Sequence, residues 1–187
     1  MATTSQRAAR ALTYEDYLGF PDDGNRHELL EGEHTMTPAP SLYHQYAVGK
    51  LSYYFHLQVK EGVVFGAPID VILAPSTIAQ PDLCYFGPAK RELLTRRGAE
   101  GPPDIVVEIL SPGTARYDLG KKRELYARFG VGEYWIVDAD QGTIRICTLE
   151  QGEYPVAGER LLGRSEVLTS PLALGLSVPV GELFWPR

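Results

Sequence analysis

The stretch DIVVEILSP, residues 104–112, reads as a central sheet strand: Ile105, Val106, Val107 and Ile109 make an apolar run rather than the alternation of a strand with one wet face. Glu108 sits inside that run. An unpaired carboxylate moved into such a place costs several kcal/mol, so something must hold it, either a cationic side chain or a metal ion. A second acid in a similar setting, Asp82 in QPDLCYF (80–86), favours the metal, because hard oxygen donors are what a small divalent cation takes.

Working outward, the turn at Pro112 and Gly113 predicts the end of this strand, and a helix follows over Tyr117 to Phe129, closed by Gly130. EYWIVDA (133–139) and TIRICTL (143–149) flank the turn Asp140-Gln141-Gly142 as a hairpin. Upstream, VVFGAP (63–68), IDVILAP (69–75) and DLCYF (82–86) are three short strands punctuated by Pro and Gly, and the connection from Gly87 to Pro103 is polar and basic. Earlier still, Thr13 caps a short helix, TYEDYLGF, which Pro21 and the DDGN turn end. HELLEGEHTM (27–36) is a hairpin about Glu31 and Gly32, and Ser41 caps a long helix, LYHQYAVGKLSYYFHLQVK, that stops before Gly62. Apolar residues wrap much of that helix, which calls for cover on more than one side, by the sheet and by another subunit. From Gly152 onward short strands sit in irregular chain. This order predicts an α/β fold with a mixed sheet flanked by helices rather than a uniformly alternating doubly wound one.

At 187 residues and 44% hydrophobic content the chain suits a single domain over 1–187 with a sizeable core, residues 1–11 forming a loose tail. Neither a membrane span nor an apolar signal segment is present in the sequence, which points to a cytoplasmic protein. Cys84 and Cys147 lie far apart in strand-like surroundings and read as buried thiols. The four histidines lack zinc spacing. A net charge of −6 argues against a protein that coats nucleic acid nonspecifically, yet Lys90 to Arg128 holds nine of the eighteen basic residues against six acids, a local +3 that leaves −9 elsewhere. That asymmetry is either one phosphate-friendly face or two solvated loops and a helix face.

Pro81-Asp82 followed by the strand-borne Glu108 resembles the two acidic motifs of the PD-(D/E)XK nuclease superfamily. The closer likeness is to its small bacterial putative restriction endonucleases, long filed as a domain of unknown function. Their pattern is matched by HELLEGE, PSLYH, QPDL, PPDIVVEILSP, the helix-borne Asp118, Lys122 and Tyr126, and GVGEYWIVD, so that the resemblance covers about Thr13 to Asp138 with a weaker tail match. It implies a restriction-endonuclease-like core that hydrolyses DNA phosphodiesters with Mg2+ or Mn2+ held by Glu28, Asp82 and Glu108. Catalysis would fall to Asp82, Glu108 and Lys122, with His44, Gln80, Asp118 and Tyr126 as supporting or phosphate-contacting groups. A divalent ion suits the reaction, since attack on an anionic phosphodiester needs a Lewis acid to offset the developing charge.

The chain departs from the superfamily at one point: Leu110 stands two places after Glu108, where lysine is usual. Lys122 occupies the matching place on the next helix, and its spacing from Asp118 and Tyr126 puts all three on one helical face. Lys121 competes about 100° away round the helix. By residue chemistry alone, Lys122 is a salt-bridge partner of Asp118, Glu28 competes with Glu31 and Glu33, Asp82 is a turn residue after Pro81, and Asp104 repeats the Pro-Asp pair. Tyr43, Tyr46, Tyr53 and Tyr54 either stack on bases or pack in the core or a subunit interface, and Trp135 reads as core. Two functions follow: a metal-dependent DNA endonuclease acting as a homodimer, or a binding and assembly module on the same fold with weak or absent hydrolysis. A glycosidase using Asp82 and Glu108 as its acid pair is a distant third.

Overall fold

The computed structural model describes residues 10–37 and 39–186. Most of the expected tail, residues 1–9, lies outside the described residues; Arg10 is placed, with its guanidinium 2.7 Å from Asp16. The first helix, α1 (Tyr14–Tyr17), is shorter than TYEDYLGF, although Thr13 does begin it, donating its backbone N–H to the Asp16 carboxylate at 2.8 Å. Strands β1 (Arg26–Leu30) and β2 (Glu33–Thr37) form the expected hairpin. Glu31 and Gly32 both take positive φ, 57° and 79°, as a two-residue hairpin loop requires.

Ser41 caps the long helix α2 (Leu42–Gln58) by accepting the His44 backbone N–H at 3.2 Å. Four short strands follow: β3 (Val63–Gly66), β4 (Val71–Ala74), β5 (Thr77–Ala79) and β6 (Leu83–Phe86). The basic connection carries more structure than its composition suggests, a 3-10 helix over Pro88–Leu93 and the two-residue strands β7 (Leu94–Thr95) and β8 (Gly98–Ala99). The DIVVEIL strand is β9 (Ile105–Ile109), and β10 (Glu133–Asp138) and β11 (Thr143–Thr148) are the second hairpin. Beyond it lie β12 (Arg160–Leu162), β13 (Val167–Leu168) and β14 (Val178–Pro179).

One mixed sheet was expected from the element order; the strands divide into two. The first has the order β2-β1-β5-β4-β8-β7, the second β12-β11-β10-β9-β6-β3, and β13 pairs with β14 alone. Both are mixed, with β9 parallel to β10 and β4 parallel to β8 among otherwise antiparallel neighbours. The architecture is thus α/β, mixed sheets flanked by helices.

Strand β9 is buried on both faces, and its side chains divide by alternation. Ile105, Val107 and Ile109 join one core with Leu51 and Phe55 of α2, Trp135, and the C-terminal Val178 and Leu183. Val106 faces the other way, into a core built with Leu30 of β1, Ala79 and Tyr126. Glu108 shares the Val106 face. A carboxylate is therefore aimed into the layer between the two sheets, where the helix after β9 also packs.

That helix, expected over Tyr117 to Phe129, starts earlier and is not uniform. It runs as α3 (Ala115–Tyr117), a π-helical turn over Asp118–Lys122, and α4 (Arg123–Arg128). Among the described residues no helix is long and apolar enough to cross a membrane.

Candidate active site

Lys122 is the centre of the site. Its Nζ lies 3.0 Å from Glu108 Oε1, 3.0 Å from Glu28 Oε2 and 3.6 Å from Asp118 Oδ1, with all four side chains buried. Glu108 comes from the second sheet, Glu28 from the first, and Asp118 and Lys122 from the π-helical turn. Within this turn a spacing of four residues falls closer to one full rotation than in an α-helix, so Asp118 sits nearly beneath Lys122. Tyr126, one turn on, donates its hydroxyl to Glu108 Oε1 at 2.9 Å. The single face proposed for Asp118, Lys122 and Tyr126 is present, and it faces Glu108.

Asp82 lies immediately before β6, whose antiparallel pairing with β9 brings it beside the end of the Glu108 strand. Its Oδ2 accepts the Ile109 backbone N–H at 2.8 Å and meets His44 Nε2 at 2.9 Å, while its Oδ1 accepts from Arg26 Nη1 at 2.7 Å. His44 is positioned by the first turn of α2. Its Nδ1 is buried with no hydrogen-bond partner.

Gln80 acts through its backbone, donating N–H to Glu28 Oε1 at 2.7 Å, while its side-chain amide donates to the Tyr17 hydroxyl and to Asp70. The alternatives to Glu28 are drawn elsewhere: Glu31 pairs with Arg128 and Glu33 with Lys121 on the surface. Asp104 accepts the Gly87 N–H and pairs with Lys90, away from these acids.

The electrostatics follow from burial. Glu108 is pushed well above the usual carboxylate range because burial outweighs Lys122. Asp118 is raised for the same reason. Burial also pushes on Asp82, but the hydrogen bond and charge of His44, with Arg26 and the Ile109 N–H, bring it below its ordinary value. For Lys122 burial acts downward, and the three carboxylates more than reverse it, so its pKa is raised.

A cleft of about 210 Å³ opens onto Arg26, His44, Asp82, Glu108, Asp118 and Lys122. Glu28 lies behind Lys122 and does not line it. The donors suit a hard divalent cation: they are carboxylate oxygens, Asp118 Oδ1 is buried without a hydrogen bond, and four acids face only Lys122 and Arg26 as permanent cations. Each acid is nevertheless held by a cation of the chain. Among the described residues no three His, Cys, Asp or Glu side chains form a ready ligand set.

Arg26 is the functional residue that sequence reasoning missed. Its signal was available, since Arg26 stands two places before Glu28 on one strand and so shares its face. The part played by Tyr17, 63 residues from Gln80, had no local signal.

A family model, Uma2, described as "Putative restriction endonuclease", matches residues 14–181. Among solved structures, the chain resembles a putative nuclease belonging to DUF820 from Anabaena variabilis, with 19% sequence identity, 92% of this chain and 97% of that chain covered, and a TM-score of 0.76. At that identity the likeness shows the fold. No curated protein matches.

Proposed function

This chain belongs to the Uma2 family of putative restriction endonucleases, and from that premise we propose that it is a divalent-metal-dependent endonuclease hydrolysing DNA phosphodiester bonds. One observation carries this reading: buried Glu108 and Asp82 line an open cleft beside a lysine ammonium that is itself fixed by three carboxylates. Structural ion pairs do not need an open floor.

Asp82 and Glu108, which line the cleft, would hold Mg2+ or Mn2+, and Glu28, which lies behind Lys122, would join them only once Lys122 moved off its carboxylate. When bound, the ion supplies Lewis acidity and a more acidic water. The chain's own groups do the positioning. Arg26, His44 and the Ile109 N–H fix both oxygens of Asp82, and Tyr126 fixes Glu108. Lys122 presents an ammonium to the phosphate oxygens, where charge develops, and its raised pKa keeps it a donor. His44 and Gln80 support the floor of the cleft. We take the protein to act in the cytoplasm, where free buried thiols such as Cys84 and Cys147 persist, and to work as a homodimer.

A second reading has a specific observation behind it. Since Lys122, Arg26 and His44 already hold the acids, the fold can persist without an ion, as a nucleic-acid-binding or assembly module would. Calorimetric titration with Mg2+ and Mn2+, followed by a plasmid cleavage assay, separates the two. Binding that is lost in Asp82→Asn and Glu108→Gln, together with cleavage by the wild type, supports the nuclease; no ion binding and no cleavage favours the module.

A further inference from the structure

A second hollow, lined by Tyr43, Arg164 and Trp185, adjoins the acidic cleft; Tyr43, Ala139 and Asp140 belong to both. Its rings are unusually open. Trp185 is 44% exposed and Tyr43 52% exposed, whereas Trp135, the other tryptophan of the chain, is fully buried. Trp185 meets Tyr43 and Tyr46 at steep angles, 67° and 73°, with centroids 6.5 and 5.2 Å apart. Such steep contacts brace the indole, which nonetheless stays 44% exposed. Arg164 lies over the Phe184 ring at 4.9 Å and is exposed, a guanidinium held by stacking beside the same hollow.

Water-facing aromatic rings beside an exposed arginine match one occupant. Bases stack on the rings and the backbone phosphate pairs with the guanidinium. A base within a duplex has both faces covered by its neighbours, so only an unpaired nucleotide can use such a shelf. We propose that Tyr43, Trp185 and Arg164 form a subsite for an unpaired nucleotide flanking the scissile phosphodiester, making single-stranded or locally unpaired DNA the substrate class. This rests on the nuclease reading of the adjoining cleft.

Trp185 supplies the readout. Titrating the wild-type protein with an oligothymidylate of eight nucleotides, in EDTA to prevent cleavage, should quench the exposed tryptophan's emission, and a blunt duplex of equal length should not. By anisotropy with a labelled oligonucleotide, Trp185→Ala and Arg164→Gln should each weaken single-strand binding by at least about five-fold while leaving duplex binding within about two-fold. Unchanged single-strand affinity in both variants overturns the subsite, and cleavage activity in the same preparations with Mg2+ then leaves the nuclease reading standing. No binding of either DNA overturns the subsite as well, and if cleavage is also absent the nuclease reading falls with it. Acrylamide quenching of the free protein adds a control: emission inaccessible to acrylamide means a second copy covers the shelf, which also overturns it.

Discussion

Lys122 balances three buried acids, and removing it tests both stability and chemistry. Lys122→Ala leaves Glu28, Glu108 and Asp118 without their shared cation, which should cost about 3–5 kcal/mol. For a domain of this size that lowers the melting temperature by roughly 10 °C. Saturating Mg2+ should recover more of that loss in the variant than it adds to the wild type, because an ion then takes the place of the missing ammonium. In a cleavage assay at saturating Mg2+ the variant should fall by about 100-fold or more, as when one preorganised electrostatic contact is removed. Lys121→Ala, which loses only a surface pair with Glu33, should stay within about two-fold in the same assay. Equal cleavage by Lys122→Ala and the wild type would take Lys122 out of the mechanism. The sequence made Glu108 legible because an acid in an apolar run has no bland explanation. It made Lys122 legible only through family resemblance, since a lysine four places from an aspartate is ordinary on any helix. Arg26 had only one sequence signal, its place two residues before Glu28 on the same strand, since its partner Asp82 is 56 residues away.

Elements carry the next set of expectations, and two glycines separate them. Gly120 lies in the π-helical turn, and a Cβ built there meets nothing within 4 Å. Gly120→Ala should therefore stabilise the protein by about 0.5–1 kcal/mol through reduced freedom of the unfolded chain, raising the melting temperature by roughly 2–3 °C. Gly32 has φ +79° and its Cβ would lie 2.6 Å from that of Ala11. Gly32→Ala should destabilise by about 1–3 kcal/mol in the same melts, from strain and contact together. Glu159 anchors α4 to β11 by accepting from Arg123 at 2.8 Å and Arg145 at 2.6 Å. Burial raises its pKa, but the two arginines win and hold it below the ordinary value. A folded pKa below the unfolded one contributes stability above the unfolded value and loses it as pH falls through the folded one. Wild type should thus exceed Glu159→Gln by about 1–2 kcal/mol near pH 7 in denaturant unfolding, and the gap should begin to narrow as pH falls below the unfolded glutamate value of about 4.3. A gap that does not shrink at all as the pH is lowered through the acid range would mean the carboxylate charge is not what binds these elements. Most elements were legible because turn residues and apolar period agree in them. The π-helical turn was not, since it differs from an α-helix by one register step that leaves no compositional mark.

At the scale of the whole molecule, two sheets meet across the acids, and that meeting is where pattern failed. Strand alternation tells which face of β9 is apolar but not which sheet lies opposite, so one sheet was expected where two exist. The long helix α2 raised a different expectation, of cover from outside the chain. Ala47, Leu51 and Phe55 face the core, while Leu42, Tyr53 and Leu57 are 67%, 57% and 50% exposed. Leu42, Tyr46, Gly49 and Tyr53 follow one another by four, three and four residues, the spacing of a helix-packing seam. Gly49 has open space where a Cβ would be, so a second helix can approach closely there. From Leu42 to Leu57 the seam spans about 22 Å. A two-fold pairing along it would bury these residues against their own copies and give each DNA two clefts. Light scattering at tens of micromolar should then report twice the 20.7 kDa chain mass, and Tyr53→Glu with Leu57→Glu should return it to one chain. The double variant changes no group of the cleft, so it should still cut single strands at the wild-type rate while losing paired cuts in duplex. A wild type that scatters as one chain would end the dimer and leave a nuclease that acts on one strand at a time.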